Sequence, residues 1–176
     1  GDWSHPDYPL MLPGSFAWAW IITGRETLIT PIVVSLGFSL SLAGLVFWYL
    51  RSYASWSAAC LGSAFLMTVS MWRFWSTTLY ADIPLTFFMT AAGIFLVLSL
   101  RLRNQILLIP AGLFAGLSLW TKDEGLLFSS WLLLLAALTQ WRMTKDLKTA
   151  ARAVSGYLAA LMIPLLAVIL IKGFLG

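Results

Sequence analysis

Ile83-Pro84-Leu85-Thr86-Phe87-Phe88-Met89-Thr90-Ala91-Ala92-Gly93-Ile94-Phe95-Leu96-Val97-Leu98-Ser99-Leu100 contains no charged side chain, and Asp82 and Arg101 bracket it. Wound as a helix at about 1.5 Å per residue, it reaches roughly 27 Å, close to the hydrocarbon thickness of a bilayer. Period-two alternation is absent, which argues against an outer-membrane barrel. In lipid the backbone must satisfy its own hydrogen bonds, so the segment is expected to be a helix. Asp82 is the only formal charge between Arg73 and Arg101. A carboxylate beside hydrocarbon is costly, so its place there calls for a reason.

The same reading extends outward along the chain. Five further charge-free stretches run Thr27–Leu50, Ser52–Trp72, Asn104–Thr121, Gly125–Trp141 and Ala153–Ile171. The resulting expectation is an all-α polytopic membrane protein of about six transmembrane helices in 27–176. Residues 1–26 are expected to form an extracytoplasmic loop that ends in a juxtamembrane helix. Hydrophobic residues make up 60% of the chain and charged residues 10%, where soluble domains carry about 25% charged. Ten tryptophans suit the interfaces of a bilayer. The net charge of +4 therefore points to loops and membrane lipid and not to a nucleic-acid partner. Cys60 is the single cysteine, so no intrachain disulfide can form and the redox compartment stays open. The chain starts at Gly1 with no cleavable signal pattern, and it reads as an internal piece of a longer polypeptide or a processed product.

Six spans sort the basic residues into two groups. Arg51, Arg101, Arg103, Arg142, Lys145, Lys148 and Arg152 share one side, and Arg25, Arg73, Lys122 and Lys172 share the other. The positive-inside rule assigns the first group to the cytoplasm and both termini to the outside. Asp2, Asp7, Glu26, Asp82, Asp123 and Glu124 then lie outside, and Asp146 alone lies inside. Arg142-Met143-Thr144-Lys145-Asp146-Leu147-Lys148 reads as a cytoplasmic anchor against anionic lipid. Gly112 and Gly116 form a small-xxx-small pair, a mark of close helix packing. Pro110 falls in the first turn of its span, and Pro164 in the middle of the last, where a kink is expected.

Three polar elements remain for chemistry. The first is Gly1-Asp2-Trp3-Ser4-His5-Pro6-Asp7-Tyr8-Pro9-Leu10-Met11-Leu12-Pro13-Gly14, whose three prolines block a regular helix, followed by the apolar run Phe16 to Ile22. That run is too short to span and suits an interfacial helix. His5, the only histidine, is more in keeping with hydrogen bonding than with metal ligation, and no zinc-spaced His/Cys cluster or phosphate-binding glycine loop exists. The second runs from Arg73 through Tyr80-Ala81-Asp82-Ile83-Pro84. Asp82 suits the N-cap of the third span and Pro84 its first turn, and a capping Asp needs no catalytic role. The third is Trp120-Thr121-Lys122-Asp123-Glu124-Gly125. It reads as a short charged turn with the lysine paired to a neighbouring acid, or as a cation placed at the membrane surface for a phosphate. A lysine in an outer loop runs against the inside bias.

In this order, and between these spans, the three elements resemble the GT-C glycosyltransferases. The likeness is to the group of dolichyl-phosphate-mannose protein mannosyltransferases and aminoarabinose transferases (glycosyltransferase family 39/83-like). Gly1-Asp2-Trp3 and Asp7-Tyr8-Pro9-Leu10 look like that family's first outer loop. Asp82-Ile83-Pro84-Leu85-Thr86-Phe87-Phe88 resembles its Asp followed by a Pro-Leu-x-Phe-Phe-like helix start, and Leu119-Trp120-Thr121-Lys122 resembles its Leu-x-x-Lys turn. The resemblance implies transfer of a sugar from a polyprenyl-phosphate donor to a protein, lipid or glycan acceptor. It implies a bacterial cytoplasmic (inner) membrane location with an extracytoplasmic catalytic face. The family's principal catalytic Asp, just after its first span, would precede Gly1. Asp82 would be the second, supporting acid, Lys122 would meet the donor phosphate with Glu124 nearby, and His5, Asp7, Tyr8 and Tyr80 would line the donor and acceptor cavity. No metal ligands are assigned, and use of a divalent metal is left open. The competing class is a multi-span transporter or a non-catalytic membrane assembly subunit. Such a transporter would be expected to show mid-span ionisable residues or helices broken at the midplane.

Overall fold

The computed structural model describes residues 11–77 and 80–175. Within them the chain is helical: α1 (Met11–Thr23), α2 (Ile29–Tyr53), α3 (Trp56–Thr68), α4 (Ser70–Thr77), α5 (Asp82–Arg101), α6 (Leu108–Thr121), α7 (Glu124–Thr144) and α8 (Leu147–Leu175), with one 3-10 turn, Gln105–Leu107, before α6. Four of the described helices are long and apolar enough to cross a membrane: Ile29–Tyr53, Asp82–Arg101, Glu124–Thr144 and Leu147–Ile171. Their outer faces carry large apolar side chains. On α2 these are Ile29, Ile32, Val33, Leu36 and Leu40; on α7 Leu127, Trp131, Leu134, Leu135 and Leu138; on α8 Ile163, Leu166, Ile169 and Leu170. Contiguous apolar faces of this extent mark a lipid-embedded protein, because water would not tolerate them. The chain is a polytopic, all-helical membrane protein.

Two of the expected spans differ from a single long helix. Ser52–Trp72 divides into α3 and α4, because Val69 leaves helical geometry at φ −61° and ψ 124°. The Thr68 hydroxyl donates to the Phe65 carbonyl at 2.7 Å, a local bond that competes with helix continuation. Asn104–Thr121 becomes the 3-10 turn plus the 14 residues of α6. Among the described residues, α1 already includes the positions ahead of the apolar run from Phe16.

The chain forms two compact units, Leu12–Phe87 and Met11 with Phe88–Gly176, and α5 contributes its first turns to one and the remainder to the other. In the Leu12–Phe87 unit, α2 and α3 make an antiparallel hairpin, with Ser55 capping α3 by accepting from the Ala58 amide at 3.2 Å. Leu42, Ala43, Trp72 and Ile83 form its core, flanked by Phe38, Val46, Leu66 and Phe87. Phe38 and Phe87 meet edge to face with centroids 5.8 Å apart.

In the other unit, α6 packs against both α7 and α8, and its contact with α8 is the more extensive. The core is Ala92, Leu96, Leu108, Ala111, Ala115, Leu132, Ala136, Ala153, Tyr157 and Leu161. The small residues predicted to mark close packing do so against α8. A Cβ at Gly112 would overlap the Tyr157 backbone, and one at Gly116 would press on Leu161 and the Pro164 ring. Between membrane helices, this close approach supplies dispersion contact that burial from water cannot. A hydroxyl clasp joins the same three helices. Ser129 Oγ donates within reach of the Ala115 carbonyl at 2.8 Å and the Gly125 carbonyl at 2.7 Å, and the Tyr157 hydroxyl donates to the Ser129 carbonyl at 3.3 Å.

Candidate functional site

Lys122 and Asp123 alone connect α6 to α7. So short a turn is possible because Lys122 adopts an extended backbone and its N–H closes on the Ser118 carbonyl at 3.2 Å. The Gly125 amide then returns to the Lys122 carbonyl at 2.9 Å, with no room for a Cβ at Gly125 against Ser118. The turn brings the Lys122 ammonium 3.0 Å from Glu124 Oε1. The lysine side chain is 18% exposed and the glutamate 58%. A pair this open to solvent stabilises by at most about 1 kcal/mol, so it chiefly fixes where the ammonium points. Beside it, the buried Thr121 hydroxyl donates to the Leu117 carbonyl at 2.7 Å and lies 2.9 Å from the Met11 sulfur.

Asp82 lies in the first turn of α5, one position inside the expected cap. The helical ladder begins at the Ala81 carbonyl, which accepts from the Leu85 amide at 2.9 Å. A carboxylate at either position faces the positive end of the helix, so the electrostatic argument is unchanged. Asp82 is half-buried, the Thr86 hydroxyl donates to its main-chain carbonyl at 2.7 Å, and Pro84 sits in the first turn as expected. Tyr80 precedes the helix and is exposed. Asp82 and Tyr80 belong to the Leu12–Phe87 unit, Lys122 and Glu124 to the other. His5, Asp7 and Tyr8 lie outside the described residues. Of the sequence-derived candidates, the structure therefore brings Lys122 and Glu124 into contact.

A second polar group was passed over by a reading based on charge. The chain has two glutamines, Gln105 and Gln140, and the Gln105 amide donates to Gln140 Oε1 at 3.3 Å. Gln140 is buried at 1% exposure, near the end of a run otherwise read only as apolar. A lone amide in that run was the signal available. Among the described residues, no group of three or more His, Cys, Asp or Glu side chains is arranged to hold a metal ion. The chain matches no family model, no curated protein and no solved structure.

Proposed function

We propose that the chain is the membrane-embedded part of a glycosyltransferase that moves a sugar from a polyprenyl-phosphate donor to an acceptor on the extracytoplasmic face. The observation that carries this reading is the ordered set of three motif elements, ending in Asp82-Ile83-Pro84 and Leu119-Trp120-Thr121-Lys122. The Lys122–Glu124 geometry supports it, since a largely sheltered ammonium at a helix junction suits a lipid-linked phosphate. In this reading the chain crosses the bilayer six times, α1 lies at the interface, and the side rich in Lys and Arg is cytoplasmic. α3 then makes the second crossing, and amphipathic α4 continues it at the surface.

In the reaction, an acceptor oxygen attacks the sugar C1 while the bond from C1 to the phosphate oxygen breaks. The acceptor proton goes to a carboxylate base that the family resemblance places upstream of Gly1. Lys122 offsets charge on the departing phosphate, Glu124 orients that ammonium, and Asp82 orients the acceptor or donor hydroxyls, with Tyr80, His5, Asp7 and Tyr8 around it. The test is transfer by the full-length protein in liposomes supplied with a panel of polyprenyl-phosphate sugars. Asp82→Asn should cut transfer by roughly ten- to a hundredfold while the protein stays folded. Full activity in that variant would remove Asp82 from the site.

One observation favours the transporter alternative, the helix interruption at Val69. Interrupted helices line substrate paths in many transporters, though there they sit with polar or ionisable groups near the midplane. Solute uptake by the reconstituted protein, with no sugar transfer from any donor in the panel, would establish that alternative.

A further inference from the structure

At the opposite end of α6 and α7 from Lys122, a cavity of about 220 Å³ is lined by Ser99, Arg103, Gln105, Gln140, Met143 and Thr144. All six belong to the Phe88–Gly176 unit. Two of them are polar side chains wholly withdrawn from solvent, Ser99 at 0% and Gln140 at 1% exposure. The Ser99 hydroxyl hydrogen is given to the Leu96 carbonyl at 2.8 Å, and that of Thr144 to the Gln140 carbonyl at 2.9 Å. Gln140 accepts from Gln105 through Oε1, and its amide nitrogen has no hydrogen-bond partner among the described residues. That amide nitrogen lines the cavity and is available to donate to an acceptor placed there.

Arg103 supplies the charge. It follows the end of α5 with φ 49°, a left-handed conformation uncommon for a side-chain-bearing residue, and its guanidinium makes no ion pair or hydrogen bond among the described residues. No lining residue is acidic. The nearest acid in sequence, Asp146, is committed to the amides of Lys148 and Thr149 and to the Thr149 hydroxyl. α5 and α7 end here and α6 and α8 begin here, so the helix-terminus fields oppose one another and the side chains decide the sign. Arg101, Arg142, Lys145 and Lys148 belong to the same end. The volume falls below the roughly 300–1,000 Å³ of drug-sized sites, so it suits a small headgroup.

We propose that this cavity binds a phosphate group, held by the Arg103 guanidinium and the Gln140 amide. The phosphate is carried by an anionic lipid headgroup or arrives as a free anion. The site is separate from the Lys122 turn and does not depend on a transferase activity.

The test is native mass spectrometry and titration of the full-length protein in detergent. The probes are short-chain phosphatidylglycerol, short-chain phosphatidylcholine and inorganic phosphate. The wild type should bind phosphatidylglycerol about tenfold or more tightly than phosphatidylcholine, whose ammonium the site's cations repel. Arg103→Gln and Gln140→Glu should each abolish that preference. Lys148→Gln removes an equal charge outside the cavity and should retain it. Arg103 is exposed, so its variant tests the site even where Gln140→Glu fails to fold. Displacement of the lipid by inorganic phosphate assigns recognition to the phosphate alone, and persistence of the lipid assigns it to the headgroup with its chains. Equal binding of the two lipids without phosphate binding, or equal losses in Arg103→Gln and Lys148→Gln, would overturn the proposal.

Discussion

The packing of α6 on α8 yields the sharpest prediction, Gly112→Ala. A Cβ at this position would overlap the carbonyl oxygen, carbonyl carbon and Cα of Tyr157, all backbone atoms that cannot swing aside. The helices must therefore part, and a gap of about 0.5–1 Å forfeits a quarter to a half of each affected contact. Those contacts are made by Leu108, Ala111, Ala115, Tyr157 and Leu161, all buried. Overpacking a tight interior costs about 1–3 kcal/mol, and a backbone collision belongs at the upper end. Against this, alanine gains about 1 kcal/mol over glycine in helix propensity. The net expectation is a loss of about 2 kcal/mol, or a melting temperature lower by about 4–8 °C for a chain of this size. Gly93→Ala is the matched control, because a Cβ there meets nothing within 4 Å. It should leave stability unchanged or raise it by up to about 1 kcal/mol. Thermal unfolding of both variants in one detergent decides the matter. Equal melting temperatures for Gly112→Ala and Gly93→Ala would refute the packing argument.

Three further outcomes are expected. Lys122→Gln should change unfolding stability by less than about 1 kcal/mol, as befits an open ion pair, while polyprenyl-phosphate binding falls; unchanged binding would separate Lys122 from the donor. Tyr157→Phe removes the bond to the Ser129 carbonyl and should cost about 0.5–1.5 kcal/mol in the same melting assay, with no change in helix content. Asp146 is held below its ordinary carboxylate range first by the Thr149 hydroxyl, then by the amides of Thr149 and Lys148. Its cap on α8 is complete above the ordinary Asp value and is lost as pH falls through the depressed one. Hydrogen exchange at the Lys148 and Thr149 amides should therefore show extra, acid-triggered opening that Asp146→Asn abolishes.

The apolar helices were legible because a charge-free run of about 20 residues has few other stable states in a membrane. Charges, however, mark the edge of the lipid and not the end of the helix. α2 continues through Arg51 to Tyr53, and α8 begins at Leu147, ahead of Arg152. Long basic side chains reach the headgroups while their backbone stays helical. The interruption at Val69 was hidden because no charge or proline announces it. Its signal is the run Thr68-Val69-Ser70, three poor helix formers, of which Thr68 and Ser70 carry hydroxyls that can bond locally. At the site, the contact of Lys122 with Glu124 was readable from a two-residue separation in a tight turn. The Gln105–Gln140 pair joins residues 35 apart, and only the return of α7 along α6 brings them together.

The 13 residues of α3 set a distance as well as a fold. At about 1.5 Å per residue they reach roughly 20 Å, some 10 Å short of a typical hydrocarbon core. Lipid-facing backbone at the Val69 break would leave polar groups unpaired in oil. For α3 to cross, the bilayer beside it must pinch inward, at a modest cost for each ångström of mismatch. The protein would then carry its own thin spot, with water and headgroups drawn toward the middle of the membrane at the α3–α4 junction. Such a protein would prefer short-chain bilayers, and its stability would fall as acyl chains lengthen.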